Sequence, residues 1–247
     1  MRYLVLTDIH ANLEALDACI ADAKKRRYDR TLVLGDLVGY GADPNAVVER
    51  VQALEPTAIV RGNHDKVACG LEQAEGFNSV AKSAAHWTFE TLLPQYRAWL
   101  AELPGGPIVV DELVEICHGS PFDEDAYVFD ELDALRALKV SQRPLCLFGH
   151  THFPCAFELS SDAFDSMGPA QTPELALPLR NGSKYLVNPG SVGQPRDGDP
   201  RAAYAIVDVA ARRVDLLRLT YDIETAQAKV VKAGLPDVLA QRLGVGR

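Results

Sequence analysis

The chain is short of cysteine, methionine and aromatic side chains, has no long apolar run and carries no excess of positive charge. Its five cysteines (Cys19, Cys69, Cys117, Cys146 and Cys155) are odd in number and never spaced Cys-x-x-Cys, which argues against a disulfide framework and against a zinc ribbon. Cys19, Cys117 and Cys146 fall in apolar stretches, as small buried thiols do, and a reducing interior suits them. No apolar stretch approaches the roughly 20 residues needed to cross a bilayer, so no membrane partner is expected. The first residues lack the apolar core of a secretory signal, and cleavage there would remove Asp8 and His10, so a cytoplasmic location is expected. A net charge of −9 argues against a nucleic-acid backbone as the main partner, and bound dications would cancel part of it.

What is present is a full complement of core-forming residues. At 247 residues and 47% hydrophobic, the chain can bury a core without staples. A single domain over residues 1–247 is expected, with a helical cap at about 66–103 and an insertion at about 160–183. Apolar runs at Tyr3–Leu6, Thr31–Leu34, Ala58–Val60, Val114–Ile116 and Leu145–Phe148 read as buried strands of a parallel or mixed sheet. Between them, Asn12–Arg27 has helical spacing and a basic end, and Asp43-Pro44 predicts a helix start with an acid as N-cap. Ile108–Val110 with Leu113–Ile116 suggests a hairpin, and Phe129–Val140 a helix. The stretch from Ser160 to Gly182 turns to Ser, Pro, Gly and Asp and reads as a long loop or hairpin insertion. Three strands (Tyr185–Val187, Tyr204–Val209, Val214–Leu219) and a helical tail from Asp222 complete the α/β pattern.

Five of the six histidines lie in short motifs where apolar runs end: Asp8-Ile9-His10, Gly62-Asn63-His64-Asp65, Cys117-His118-Gly119 and Gly149-His150-Thr151-His152. Gly35-Asp36 ends another run in the same way. In open α/β sheets, binding residues collect beyond the carboxyl ends of the strands. Carboxylates, imidazoles and one amide oxygen are the donors that a pair of divalent cations takes. Asp8 and His10 are two apart, so on an extended segment both would face one ion, and the same spacing relates His150 to His152. Asp36 has two oxygens and can bridge. Two dications ~3.5–4 Å apart would clamp a phosphoryl group and lower the pKa of a bridging water. Cys117 beside His118 is not a nucleophile pair, because neighbours on a strand face opposite ways.

This ordered set resembles the calcineurin-like metallophosphoesterases, whose pattern runs Asp-x-His, Gly-Asp, Gly-Asn-His-Asp/Glu, a lone His and Gly-His-x-His. The resemblance covers about residues 3–193. It implies two facing mixed sheets flanked by helices, an αββα sandwich. It implies one ion on Asp8, His10, Asp36 and His152, and a second on Asp36, Asn63, His118 and His150. Mn²⁺ is the metal the resemblance favours, with Fe, Ni or Zn compatible with the donors. It makes His64 the proton donor to the leaving oxygen, with Asp65 holding the imidazole. The segment Asn188–Arg196 looks like a loop of the small bacterial phosphodiesterase branch. Its amides could cradle an anion with Arg196 adding charge, or it could be a plain glycine-rich turn.

Departures from the pattern narrow the substrate. Serine/threonine phosphatases of this superfamily resemble Gly-Asp-x-Val-Asp-Arg-Gly, whereas this chain reads Gly35-Asp36-Leu37-Val38-Gly39-Tyr40-Gly41. Tyr40 replaces the phosphate-gripping Arg, and Ala11 replaces the glycine after their Asp-x-His. A small phosphodiester or nucleotide, held by Asn63 and Arg196, is therefore the expected substrate. A phosphomonoesterase or protein phosphatase is the alternative, and a non-catalytic scaffold of the same fold a third reading.

Overall fold

The computed structural model describes residues 1–168 and 172–247. The chain runs β1 (Arg2–Leu6), α1 (Leu13–Arg26), β2 (Arg30–Val33), α2 (Pro44–Gln52), β3 (Ala58–Ile59), α3 (Asn63–Cys69), α4 (Ser79–Thr91) and α5 (Pro94–Ala101). It continues through β4 (Ile108–Val109), β5 (Val114–Ile116), α6 (Glu131–Val140), β6 (Leu145–Leu147), β7 (Cys155–Leu159), β8 (Phe164–Met167), β9 (Glu174–Pro178) and β10 (Lys184–Asn188). Then come β11 (Ala202–Asp208), β12 (Arg213–Leu219), α7 (Ile223–Lys232) and α8 (Asp237–Val245).

The strands form two six-stranded mixed sheets, ordered β3-β2-β1-β11-β12-β9 and β4-β5-β6-β10-β7-β8. Strands β1, β2 and β3 are parallel to one another, as are β5, β6 and β10. The apolar runs are continuous because both faces of each sheet are covered. Along β1, Tyr3 and Val5 enter the layer between the sheets while Leu4 and Leu6 face α1 and α2. Along β6, Leu145 and Leu147 meet that same middle layer, and Cys146 and Phe148 pack with α6. The result is the αββα sandwich that the motif order implies.

Local signals explain most helix ends. Asn12 caps α1, its side-chain oxygen accepting from the Ala15 amide at 3.1 Å, and Lys24, Lys25 and Arg26 lie in the last turn. Helix α6 starts at Glu131 rather than at Phe129, because Asp130 caps it, its carboxylate accepting from the Leu132 and Asp133 amides. Asp43 is the N-cap of α2 with Pro44 opening the helix, as the sequence predicts, but it does not cap through its side chain. Its carboxylate makes no cap bond to α2 and is drawn instead to Lys229 of α7 at 2.8 Å.

The Ser160–Gly182 segment is also corrected, although residues 169–171 within it lie outside the described residues. It is neither a loop nor a self-contained hairpin. Strand β8 turns back on β7, while β9 crosses to the other sheet and pairs with β12. Both are edge strands, and a solvent-facing edge needs no apolar alternation. In the stretch expected as a cap, Leu92, Leu100 and Leu103 sink into the core beside α1, and only Gly76–Ala81 reaches the site's cavity.

The loop from Asn188 to Arg196 ties the sheets together beyond β1. The Val192 amide donates to the Thr7 carbonyl at 3.0 Å and the Gly193 amide to that of Asp8 at 3.0 Å. A Cβ at Gly193 would run into the Ile9 carbonyl oxygen, whereas one at Gly76 would meet nothing. Gly193→Ala is therefore expected to lower unfolding stability by about 1–3 kcal/mol. Gly76→Ala should stay within about 0.5 kcal/mol of the parent. Urea melts of both variants check this, and equal midpoints would refute the packing argument.

Candidate metal centre

The donors gather where β1, β2, β3, β5 and β6 end. Asp8, His10, Asp36 and His152 place donor atoms within 4.8 Å of one another, as do Asp36, His118 and His150. All six side chains are buried. Asp36 belongs to both groups: its Oδ2 lies 3.5 Å from His10 Nε2 and 3.5 Å from His118 Nε2. Its other oxygen is engaged, accepting from the His64 amide at 2.9 Å. Asn63, at the start of α3, brings its amide oxygen to 3.4 Å from His118 Nε2.

The loops reach this geometry through unusual backbone rather than strand alternation. Asp8, His10, Asp36, His150 and His152 all have φ between 49° and 68°, the left-handed region. The expectation that His150 and His152 share a face is thus overturned: His152 joins His10 and Asp8, whereas His150 joins His118. Asp8 and His10 do converge, but by left-handed turns beyond the strand. These turns hold each other, with Asp8 N donating to the Gly35 carbonyl at 3.1 Å and His10 N to that of Asp36 at 3.0 Å.

Each imidazole of the two groups spends one ring nitrogen on a main-chain carbonyl. His10 Nδ1 faces Val38 O at 3.1 Å, His152 Nδ1 faces Gln194 O at 2.7 Å, and His118 Nδ1 faces Leu34 O at 2.8 Å. His150 Nε2 faces Asp125 O at 3.0 Å. A carbonyl only accepts, so these nitrogens carry the protons and the neutral rings present lone pairs on the other side. Those lone pairs face one another: His10 Nε2 and His152 Nε2 are 3.1 Å apart, and so are His118 Nε2 and His150 Nδ1. His10 and His152 repel as neutral rings at this distance, and His118, which Asp36 holds protonated, presents its Nε2 lone pair only where a cation replaces that proton. Donors at right angles, ~2.1 Å from one shared cation, lie about 3 Å apart, so the arrangement fits a metal ion in each group.

The electrostatics ask for positive charge as well. Burial pushes the Asp8 carboxyl up to about 7, with nearby Asp36 adding to the rise. Burial also holds His10 and His152 well below the usual imidazole range and lowers His150 to about 3. His118 is the exception: burial opposes its charge, but Asp36 outweighs that and lifts it to about 10. Asp36 stays well below the usual carboxylate range, because His118 more than offsets its burial. The proton that Asp36 favours on His118 lies on the Nε2 side, where a cation would bind.

His64 and Asp65 do not form a pair. Asp65 Oδ1 accepts from the Leu37 and Val38 amides at 2.9 and 3.2 Å, and Oδ2 accepts from the Gly62 amide at 3.0 Å. The expected hold on the imidazole is therefore corrected: three backbone donors saturate the carboxylate, which pins the loop after β2 to the start of α3. His64 Nδ1 is buried without a hydrogen-bond partner. The ring sits among Tyr40, Phe77 and His10, at centroid distances of 4.3, 4.5 and 5.0 Å. Burial lowers it to about 4.

The Asn188–Arg196 loop packs against the turn after β1. Its amides at Gly190, Val192, Gly193 and Gln194 are all spent within the protein, leaving none of these for an anion. Arg196 does reach the site, donating to the Tyr40 hydroxyl at 3.4 Å and to Gln194 Oε1 at 3.1 Å. Arg61 pairs with Glu124, and His86 lies on the surface beside Glu90. Cys117 faces the core against Cys146, as the strand argument requires.

Sequence reasoning missed several participants. Tyr127 stacks on His150 with centroids 3.8 Å apart. Buried Lys66, directly after the Asn63-His64-Asp65 motif, binds Asp125, whose carbonyl orients His150. Lys66 also neutralises the acidic group formed by Glu72, Glu124 and Asp125. Arg242 and Arg247 line the cavity that holds Asn63, His64 and Arg196. A lysine after the motif was a readable signal; the others had none.

Comparison with known proteins agrees with this geometry. Residues 1–212 match the calcineurin-like phosphoesterase superfamily domain. An uncharacterized protein of Methanocaldococcus jannaschii is 36% identical over 251 residues, covering 98% of this chain and 97% of its own. The crystal structure of a metallophosphoesterase from Sphaerobacter thermophilus superposes with a TM-score of 0.87 at 38% identity, over 100% of this chain and 99% of that one. A hypothetical protein from Pyrococcus horikoshii OT3 shares the fold, with a TM-score of 0.78 at 21% identity over 100% and 98% of the two chains. Among the described residues, no helix is long and apolar enough to cross a membrane. With its motifs, its sandwich of two sheets and its paired donor groups, the chain belongs to the calcineurin-like phosphoesterase superfamily and is a phosphoric ester hydrolase.

Proposed function

We propose that the protein hydrolyses a small phosphodiester or nucleotide with the help of two divalent cations, Mn²⁺ foremost. The observation that carries this reading is the set of four imidazole lone pairs fixed on two points that share Asp36. Asp8, His10, Asp36 and His152 would hold one ion, and Asp36, Asn63, His118 and His150 the other. When bound, such a pair supplies Lewis acidity that polarises a phosphoryl oxygen and makes water nucleophilic near neutral pH.

The chain's own residues do the rest. Asn63 and Arg196 face the same cavity and orient the phosphoryl group. His64 stands beside them with aromatic walls that exclude water from its ring. Its burial favours the neutral form, and an anionic substrate nearby favours the protonated one. His64 therefore gains its proton together with the substrate and passes it to the leaving oxygen. Asp65 acts only by fixing the backbone around it.

Asp36→Asn keeps the shape of the shared side chain but removes the charge that offsets cation–cation repulsion. Loss of at least one ion per chain and of nearly all turnover is expected, with the fold retained. Metal content by plasma mass spectrometry, beside circular dichroism, checks this; full activity with both ions in place would sink the bridging assignment.

His64→Ala is expected to keep both ions yet lose 10²–10⁴-fold in rate, roughly the span for lost acid catalysis. The loss should be large for alkyl leaving groups and small for 4-nitrophenolate, which leaves without a proton. Equal losses for both would assign His64 a structural role instead.

A monoester dianion carries more charge than a diester monoanion, and sites built for it add guanidinium donors beside the metals. Tyr40 stands where the protein phosphatases place such an arginine. With Mn²⁺, bis(4-nitrophenyl) phosphate is therefore expected to show a higher kcat/KM than 4-nitrophenyl phosphate. A clear monoester preference on the same preparation would turn the reading to a phosphomonoesterase.

A further inference from the structure

The cavity beside the metal centre is unusual for so acidic a chain. It measures about 230 Å³, and its walls include Tyr40, Phe77 and Tyr127 together with Arg196, Arg242 and Arg247. Several arginines elsewhere meet carboxylates, Arg26 with Glu174, Arg61 with Glu124, Arg213 with Asp215 and Arg218 with Asp197, while others, such as Arg136 and Arg143, meet a ring or backbone carbonyls. None of the three cavity guanidiniums has a carboxylate partner among the described residues. Three unneutralised cations around one opening, in a chain of net charge −9, favour an anion as the occupant.

The three are not equivalent in depth. Arg196 donates to Gln194, whose carbonyl holds His152, whereas Arg242 comes from α8 and is half-buried, and Arg247 is exposed. Arg196 thus stands beside the metal groups and serves the reacting phosphoryl group, and Arg242 lines the same cavity from α8. Tyr40, Phe77 and Tyr127 line the same cavity and give it apolar wall beside the cations.

We propose that Arg242, assisted by Arg247, forms a subsite for a second phosphate, so that the preferred substrate is a nucleotide bearing a phosphate beyond the scissile diester. This rests on the phosphodiester reading above and deepens it. The helices α7 and α8, which follow the last strand, then do more than cover the sheet: they deliver a specificity-determining residue to the site.

Two esters with the same scissile bond test the subsite: the 4-nitrophenyl ester of thymidine 5′-phosphate, and the same compound with a 3′-phosphate added. The second is expected to have kcat/KM about tenfold higher, chiefly through KM, as one charge-assisted contact would give. Arg242→Gln should remove most of that gain, and Arg242→Lys should keep part of it. Equal kcat/KM for the two esters in the parent, or a gain untouched in the Arg242→Gln, Arg247→Gln double variant, would overturn the proposal. Both side chains line an open cavity, and thermal melts confirm that the variants fold. Calorimetry with thymidine 3′,5′-bisphosphate and thymidine 5′-phosphate separates the two readings. If neither ester is hydrolysed, the phosphodiesterase reading fails, yet tighter binding of the bisphosphate that weakens about tenfold in Arg242→Gln still supports the subsite. Equal binding of the two nucleotides overturns it.

Discussion

Four main-chain carbonyls hold four imidazoles, and the rest of the site depends on that. Leu34 and Val38 follow β2, Asp125 follows β5 and Gln194 follows β10, so each sheet supplies two of the four. By accepting a hydrogen bond from one ring nitrogen, each carbonyl fixes which nitrogen faces the metal position and where it points. These nitrogens then face one another at 3.1 Å, an arrangement favourable around a cation. Affinity for the ions is therefore written into the path of the backbone as much as into the donor side chains.

Holding the loops on that path has a cost. A non-glycine residue in the left-handed region is strained by roughly 1–3 kcal/mol, and five proposed ligands lie there. The strain persists because each turn is tied to another turn rather than to solvent. Gly149 N donates to the His118 carbonyl at 2.8 Å, Asp8 N to Gly35, and Gly193 N back to Asp8. The Asp65 carboxylate completes the lattice by joining the loop after β2 to α3. Buried strands on either side make this rigid: their apolar residues are covered on both faces, so the loops emerge from a fixed frame.

How much of this is legible in the sequence follows from the same physics. Runs such as Tyr3–Leu6 and Leu145–Phe148 are readable because double coverage makes every position apolar. Edge strands β8 and β9 escape notice because half of each faces water. Donor side chains are readable, since Asp8, His10, Asp36, Asn63, His118, His150 and His152 announce themselves by type. The carbonyls that aim them are not, because any residue supplies a carbonyl. Asp65 was misread for a related reason: sequence adjacency to His64 suggested a pair, while the helix start turned the carboxylate toward backbone amides. Arg242 gave no signal at all, being one charged residue of an ordinary helix until the fold brings it beside Tyr40.

The placement of charge carries the argument from structure to reaction. Asp8 and Asp36 lie buried at the bottom of the site, where burial and the charge of Asp36 lift Asp8 to about 7, so their negative charge opposes an approaching anion unless it is compensated. The arginines stand further out, where an anionic ester meets them first. Positive charge on the floor satisfies the carboxylates and draws in the phosphate through the same interaction. Occupancy of the floor and binding of the ester are therefore thermodynamically linked, each strengthening the other by an equal factor. A chain that is acidic overall can in this way present a locally cationic opening to its substrate, because three guanidiniums without carboxylate partners among the described residues line one cavity.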